Sequence, residues 1–222
     1  MATIVPLFPA SRGVPTAAAG RDIWPYGAAI GHPMAEDVRQ FLELLAAFGV
    51  SENTIRHYGH DLALFLRFLQ RHQANVTDPS QIRPDTVREF LAYLSHVRRN
   101  AKSSVRRRLA AVKKFTRYLY ETGTTPFDPT AHLALTATRK GLPTVLTREE
   151  ALRLLEASKM SRFPERDHAI FRLFLTCGCT LSELLHLRLP DYNTLEGTIT
   201  FSGGRQRPRT LPLPEACRRA LD

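Results

Sequence analysis

The strongest chemical signal in this sequence is a run of cations. Arg98, Arg99, Lys102, Arg106, Arg107, Arg108, Lys113, Lys114 and Arg117 occur within one stretch that contains no Asp or Glu. Positions 102, 106, 113 and 117 are separated by four, seven and four, so a helix sets them on one face with Arg107 and Lys114 beside it. Like charges at such spacing repel by about 0.2–0.5 kcal/mol per pair, and no acid within the run offsets them. A stripe of Lys and Arg opposite an apolar seam suits phosphate neutralisation, in which each neutralised phosphate releases condensed counterions. The competing reading is a solvated helix face, salt-bridged to neighbouring helices.

Other residue types point to less chemistry. Cys177, Cys179 and Cys217 are odd in number, and no second CxxC or HxxxH set completes a metal site. Reduced, structural thiols are expected, with no metal and no cofactor. The 222 residues carry 31 Lys+Arg against 21 Asp+Glu, a formal charge of +10, which suits a polyanionic partner. A hydrophobic fraction of 43% with 23% charged residues is enough to build a core and argues against disorder throughout. No apolar run approaches the ~20 residues of a membrane span. The start, MATIVPLFPASRG, lacks the basic-then-apolar order of a secretory signal, so a cytoplasmic protein with no membrane partner is expected.

Elements must position these residues. Residues 1–33, rich in Pro, Ala and Gly, read as a flexible arm. Within it, Trp24 and Tyr26 suit either docking on a partner or a loosely packed tail. From Met34 the period is helical: Val38, Phe41, Leu42, Leu45 and Phe48 share a face, and Gly49 supplies the stop. A second helix after Ser51 turns Ile55, Tyr58, Leu62, Phe65 and Leu69 inward, and Arg56, His57, Asp61 and Arg67 outward. A third starts at Pro84 with Val87, Phe90, Leu91, Leu94 and Val97 inward, and a fourth, about 103–121, carries the cations. Together these predict a bundle over 34–121. Residues 122–144 lose the period and gather prolines, which reads as a linker. In the segment 145–222, Thr147 and Glu150 form a capping box for one helix. Helices follow over about 165–176 and 181–187, then a β-hairpin of 198–201 and 209–213, then the first turns of a helix near Pro214.

Several stretches in this order resemble one family. NTIRHYGHDLALFLRFL (53–69), SSVRRRLAAVKKFTRYLYETG (103–123), FDPT (127–130) and LPTVLTREEALRLLEA (142–157) look like the core-binding half of tyrosine recombinases, the phage integrase family, especially Xer-like members. RDHAIFRLFLTCGCTLSELLHLRLPDY (166–192) resembles the start of that family's catalytic domain, and ITFSGGRQRPRTLPLP (199–214) its β-hairpin. The resemblance implies a mainly α fold: a four-helix SAM-like core-binding bundle followed by a partial α+β catalytic domain. It also implies duplex DNA as partner, and metal-free phosphoryl transfer in which Tyr attacks a phosphate held by two Arg and a His while a hairpin Lys protonates the leaving oxygen.

Carried over residue by residue, that chemistry is incomplete. Thr180 stands where the family has its first catalytic Arg, and Gly204 where it has the hairpin Lys; Glu183 matches the buttressing acid, or is an ordinary helix-capping group. Losing one such cationic donor typically costs ~3–4 kcal/mol of transition-state stabilisation. Arg205 and Arg207 suit phosphate binding but are poor proton donors. No HxxR and no Tyr follow the hairpin; the last His is His186 and the last Tyr is Tyr192, read as a loop residue under the hairpin. The expectation is a C-terminally truncated recombinase derivative that binds DNA through Lys102, Arg106, Arg107, Lys113, Lys114, Arg117, Arg205 and Arg207 and does not cleave it alone. The alternatives are an integrase half completed in trans, a regulator that binds a full-length recombinase or itself through apolar surface near Leu211–Leu221, and an unstable fragment.

Overall fold

The computed structural model describes Trp24, residues 31–134, 142–202 and 207–222. The chain divides into two compact units, residues 1–139 and 140–222, a boundary inside the stretch read as a linker.

The first unit is a helical bundle. α1 (Ala35–Ala47) buries Val38, Phe41, Leu42 and Leu45 at the helical spacing of the sequence, and Gly49, at φ 74°, turns the chain out of it. α2 (Glu52–His72) starts on Ser51, whose hydroxyl accepts from the Thr54 amide. α3 (Pro84–Ala92) begins with Pro84, widens into a π turn over Tyr93–Val97, and is followed by α4 (Lys102–Glu121). Phe41 meets Phe115 at 5.7 Å and Tyr58 at 6.4 Å, and Phe90 meets Phe65 and Phe68 at 5.0 and 5.3 Å, so aromatic contacts join all four helices.

Four expectations are corrected here. Trp24 is 5% exposed, sits in the bundle core and donates its indole N–H to the Gly59 carbonyl at 3.2 Å. His32 is buried as well, so these parts of the presumed arm belong to the bundle; residues 1–23 and 25–30 lie outside the described residues. Asp61, expected to face outward, is buried, because two arginines of α4 reach it. Val97, expected inward, is 70% exposed, since the π turn rotates it off the seam. Residues 122–134, the first half of the expected linker, pack back on α4: Thr125 and Thr130 are buried, and Leu133 packs against the core.

The second unit holds α5 (Arg148–Ser158), α6 (Pro164–Cys177), α7 (Leu181–His186) and α8 (Glu215–Arg218) with a small antiparallel sheet. The predicted hairpin is present as β2 (Thr198–Phe201) and β3 (Arg209–Pro212), and β1 (Tyr192–Asn193) adds an outer strand in the order β1-β2-β3. Tyr192 is thus a strand residue paired with Ile199, its hydroxyl donating to Asp222 at 3.2 Å, and not a loop residue. Ile199 and Phe201 point from one face of β2 into a core with Leu173, Cys179, Leu213 and Cys217. Leu211 and Leu221 pack against that core, so the apolar surface expected near Leu211–Leu221 is largely covered. Exposed leucines lie elsewhere, at Leu181, Leu185 and Leu189.

Candidate nucleic-acid interface

α4 organises the cationic surface. Leu109, Val112, Phe115, Thr116 and Leu119 face the core, which forces the intervening cations outward or sideways. Their environments then differ sharply. Lys102 and Arg106 are exposed, one turn apart, and form no ion pair among the described residues. Lys114 lies over the ring of Tyr58 at 5.7 Å, a cation–π contact that ties it to α2.

Arg107, Arg108, Lys113 and Arg117 have protein partners. Arg107 binds Asp61 at 2.5 Å, and Arg108 lies 3.6 Å from the other oxygen of the same carboxylate while its guanidinium also donates to Asn100. Burial pushes the Asp61 carboxyl up, against the opposing pull of Arg107 and Arg108. Burial likewise lowers Arg108. Lys113 turns away from solvent and donates to the carbonyls of Thr130 and Leu133 at 3.0 and 2.6 Å. Beside it, Asp128 accepts from the Thr116 and Thr130 hydroxyls and from the Thr130 amide, and these bonds fasten residues 128–133 to α4. Arg117 pairs with Glu121 at 2.8 Å. Much of the like-charge repulsion read from the sequence is therefore relieved within the protein, by Asp61 and Glu121.

In the second unit, Thr180 and Glu183 form a reciprocal capping box at the start of α7. The Thr180 amide and hydroxyl donate to Glu183 Oε2 at 2.7 and 3.0 Å, and the Glu183 amide donates back to the Thr180 hydroxyl at 3.2 Å. Arg209, from β3, adds both Nε and Nη2 to the Glu183 carboxylate at 3.2 Å each, and Nη2 also reaches the Gly178 carbonyl. The Thr180 amide bond, then its hydroxyl and Arg209, hold the Glu183 carboxyl below the usual carboxylate range. The Thr180 hydroxyl is engaged as donor and acceptor and carries no charge. Arg207 is exposed; Gly204 and Arg205 lie outside the described residues.

Burial raises the thiols, Cys177 to about 11, so they are protonated at neutral pH. Among the described residues no three His, Cys, Asp or Glu side chains gather as metal ligands, and no helix is long and apolar enough to cross a membrane. Sequence reading missed Asp61 as the counter-charge, Lys113 as an internal clasp and Arg209 as the partner of Glu183. Only Asp61 had a signal: no other acid lies between Glu52 and Asp78, and it directly precedes the apolar run Leu62–Leu66.

The chain thus consists of a helical bundle with a cationic helix, followed by a small α+β unit. Residues 38–123 match the phage integrase N-terminal SAM-like domain. The chain is 33% identical to tyrosine recombinase XerC of Caldanaerobacter subterraneus subsp. tengcongensis, over 85% of this chain and 57% of the relative. It is 35% identical to XerC of Roseiflexus sp. (strain RS-1), over 85% of this chain and 60% of the relative. The Tn1549 transposon integrase, solved in complex with transposon right end DNA, shares the fold at TM-score 0.65 and 12% identity, covering 83% of this chain and 63% of the integrase. The chain therefore belongs to the tyrosine recombinase, or phage integrase, family. It spans about three-fifths of the length of these curated relatives.

Proposed function

We propose that this chain binds duplex DNA through its N-terminal bundle and does not cut and rejoin DNA on its own. The observation that carries the reading is Lys102 and Arg106, two exposed cations without a protein counter-ion among the described residues, on a helix whose opposite face is core. Lys114 extends this surface, and Arg107 and Arg117, each bound to one carboxylate, border it. Lys113 serves the fold instead, since two carbonyls take its ammonium. Arg207 and Arg205, near the hairpin, are further phosphate contacts in this reading. The DNA-bound integrase of similar fold supports duplex DNA as partner.

Cleavage is not proposed because Thr180, in place of a catalytic Arg, spends its hydroxyl and amide on Glu183 and offers no positive charge to a phosphorane. A donor missing from such a cradle lowers rates by ~10²–10³. Completion of a catalytic centre by a further segment or a second recombinase is the alternative, with exposed Leu181, Leu185 and Leu189 as surface for it.

Duplex retention measured against salt tests the binding. Affinity falls as a steep power of salt concentration, and neutralising Lys102 and Arg106 together lowers the log–log slope by roughly 2. Binding that ignores both salt and these substitutions refutes the reading. A nicked suicide duplex tests the second half: covalent protein–DNA adduct formed by this chain alone would overturn it.

A further inference from the structure

Resting on the reading of duplex DNA as partner, we propose that the corner between α3 and α4 enters the minor groove, with Arg98 and Arg99 as groove cations and Val97 as the apolar contact between base edges and sugars. The root of this corner is fixed. Leu94 is fully buried, and the Tyr93 ring packs on Phe68 and His72 at 5.3 and 5.1 Å. The Arg98 amide donates to the Tyr93 carbonyl and the Asn100 amide to the Leu94 carbonyl, both at 3.0 Å, closing the chain over the end of the π turn. The Asn100 side chain is held by Arg108 from α4.

The tip has the opposite character. Val97 is 70% exposed, Arg98 and Arg99 are exposed, and Lys102 and Arg106 continue the exposed cations along α4. Among the described residues Arg99 is the one non-glycine with positive φ, at 49°. An L-residue there costs ~1–3 kcal/mol, and such strain persists where the surrounding structure enforces it. Arg99 takes this conformation as the residue that closes the helix end, and the closure leaves two adjacent arginines and Val97 exposed, with no acid beside them in sequence. Two exposed arginines beside an exposed valine suit an anionic groove with apolar walls.

Shape and charge select the groove. The corner is a short link, residues 98–101, between the π turn and α4, not a helix face, and the minor groove is about 6 Å wide. Its negative potential is highest over narrow A·T tracts, which draw inserted arginines, and apolar side chains beside them contact sugars and base edges. No Asp or Glu occurs from Arg98 through Tyr120 to oppose the approach.

The test uses the full chain and two labelled duplexes of equal length, one with an A·T tract and one of G·C, in fluorescence anisotropy at fixed salt. The A·T duplex is expected to bind on the order of 10-fold tighter, and netropsin, which fills the A·T minor groove, to displace the protein. Arg98→Gln, and Arg99→Gly, which removes the cation while suiting the positive φ, are each expected to abolish most of that preference without lowering the urea midpoint. Val97→Ser is expected to weaken the A·T complex alone. If both duplexes bind equally and netropsin does not compete, while Lys102→Gln/Arg106→Gln weakens both, the corner is not a groove reader although DNA remains the partner. If neither duplex is retained at low salt, the DNA reading fails and this inference with it.

Discussion

Replacing Asp61 by Ala removes one carboxylate that serves two arginines. Its side chain is 3% exposed, that of Arg108 17% and that of Arg107 47%, so one partner is nearly as buried as the acid and the other half solvated. Breaking a buried pair from one side typically costs ~3–5 kcal/mol, because the charge left behind has lost both water and its counter-ion. The half-exposed Arg107 recovers hydration, which places the expected loss near the lower end, about 3 kcal/mol. Arg108 Nε already lacks a hydrogen-bond partner, and the neutral Asn100 side chain, to which Nη1 donates, supplies no counter-charge. For a domain of this size such a loss lowers Tm by roughly 12–20 °C.

Urea unfolding followed by far-UV circular dichroism measures the effect. Because burial raises the Asp61 carboxyl in the folded protein, its contribution is largest below the ordinary Asp value of ~3.9 and declines as pH rises through the raised folded value. The Ala variant lacks that component of the pH profile. A loss under about 1 kcal/mol, or strict additivity of Asp61→Ala with Arg108→Ala, would refute the claim that these residues act as one buried network.

Other perturbations separate further parts of the argument. Trp24→Ala is expected to destabilise the bundle by about 3 kcal/mol through loss of a core indole, read by the same denaturation; an unchanged midpoint would return Trp24 to the arm. Gly59→Val tests the same contact from the other side, since even a Cβ at residue 59 would lie 2.9 Å from the Trp24 ring. Lys113→Met is expected to loosen residues 128–133, seen as faster amide exchange there, with duplex affinity nearly unchanged; a large affinity loss would restore Lys113 to the interface. Glu183, lowered by its bonds to Thr180 and Arg209, contributes stability that is present above the ordinary carboxylate pKa and lost as pH falls through its folded value. Glu183→Gln is expected to flatten that acid limb for the second unit, and an unaltered limb would count against the Arg209 contact.

Local rules made much of the fold legible. The spacing of Phe41, Leu42 and Leu45, the Ser51 cap, Pro84 and the Thr147/Glu150 box each act within one or two turns, and each element formed where they point. The hairpin strands were legible for the same reason, while the two-residue β1 was too short to show a period. Composition and periodicity also determined that a cationic helix would lie across an apolar core. They did not determine which cations stay available. That depended on contacts between residues far apart in sequence: Asp61 on Arg107, the carbonyls of Thr130 and Leu133 on Lys113, and Glu183 on Arg209. A charge is compensated by whatever the packed chain brings within a few ångströms, and residue order does not encode that distance. Tertiary packing thus reduced a stripe of equal-looking Lys and Arg to a few outward-facing residues, chief among them Lys102 and Arg106.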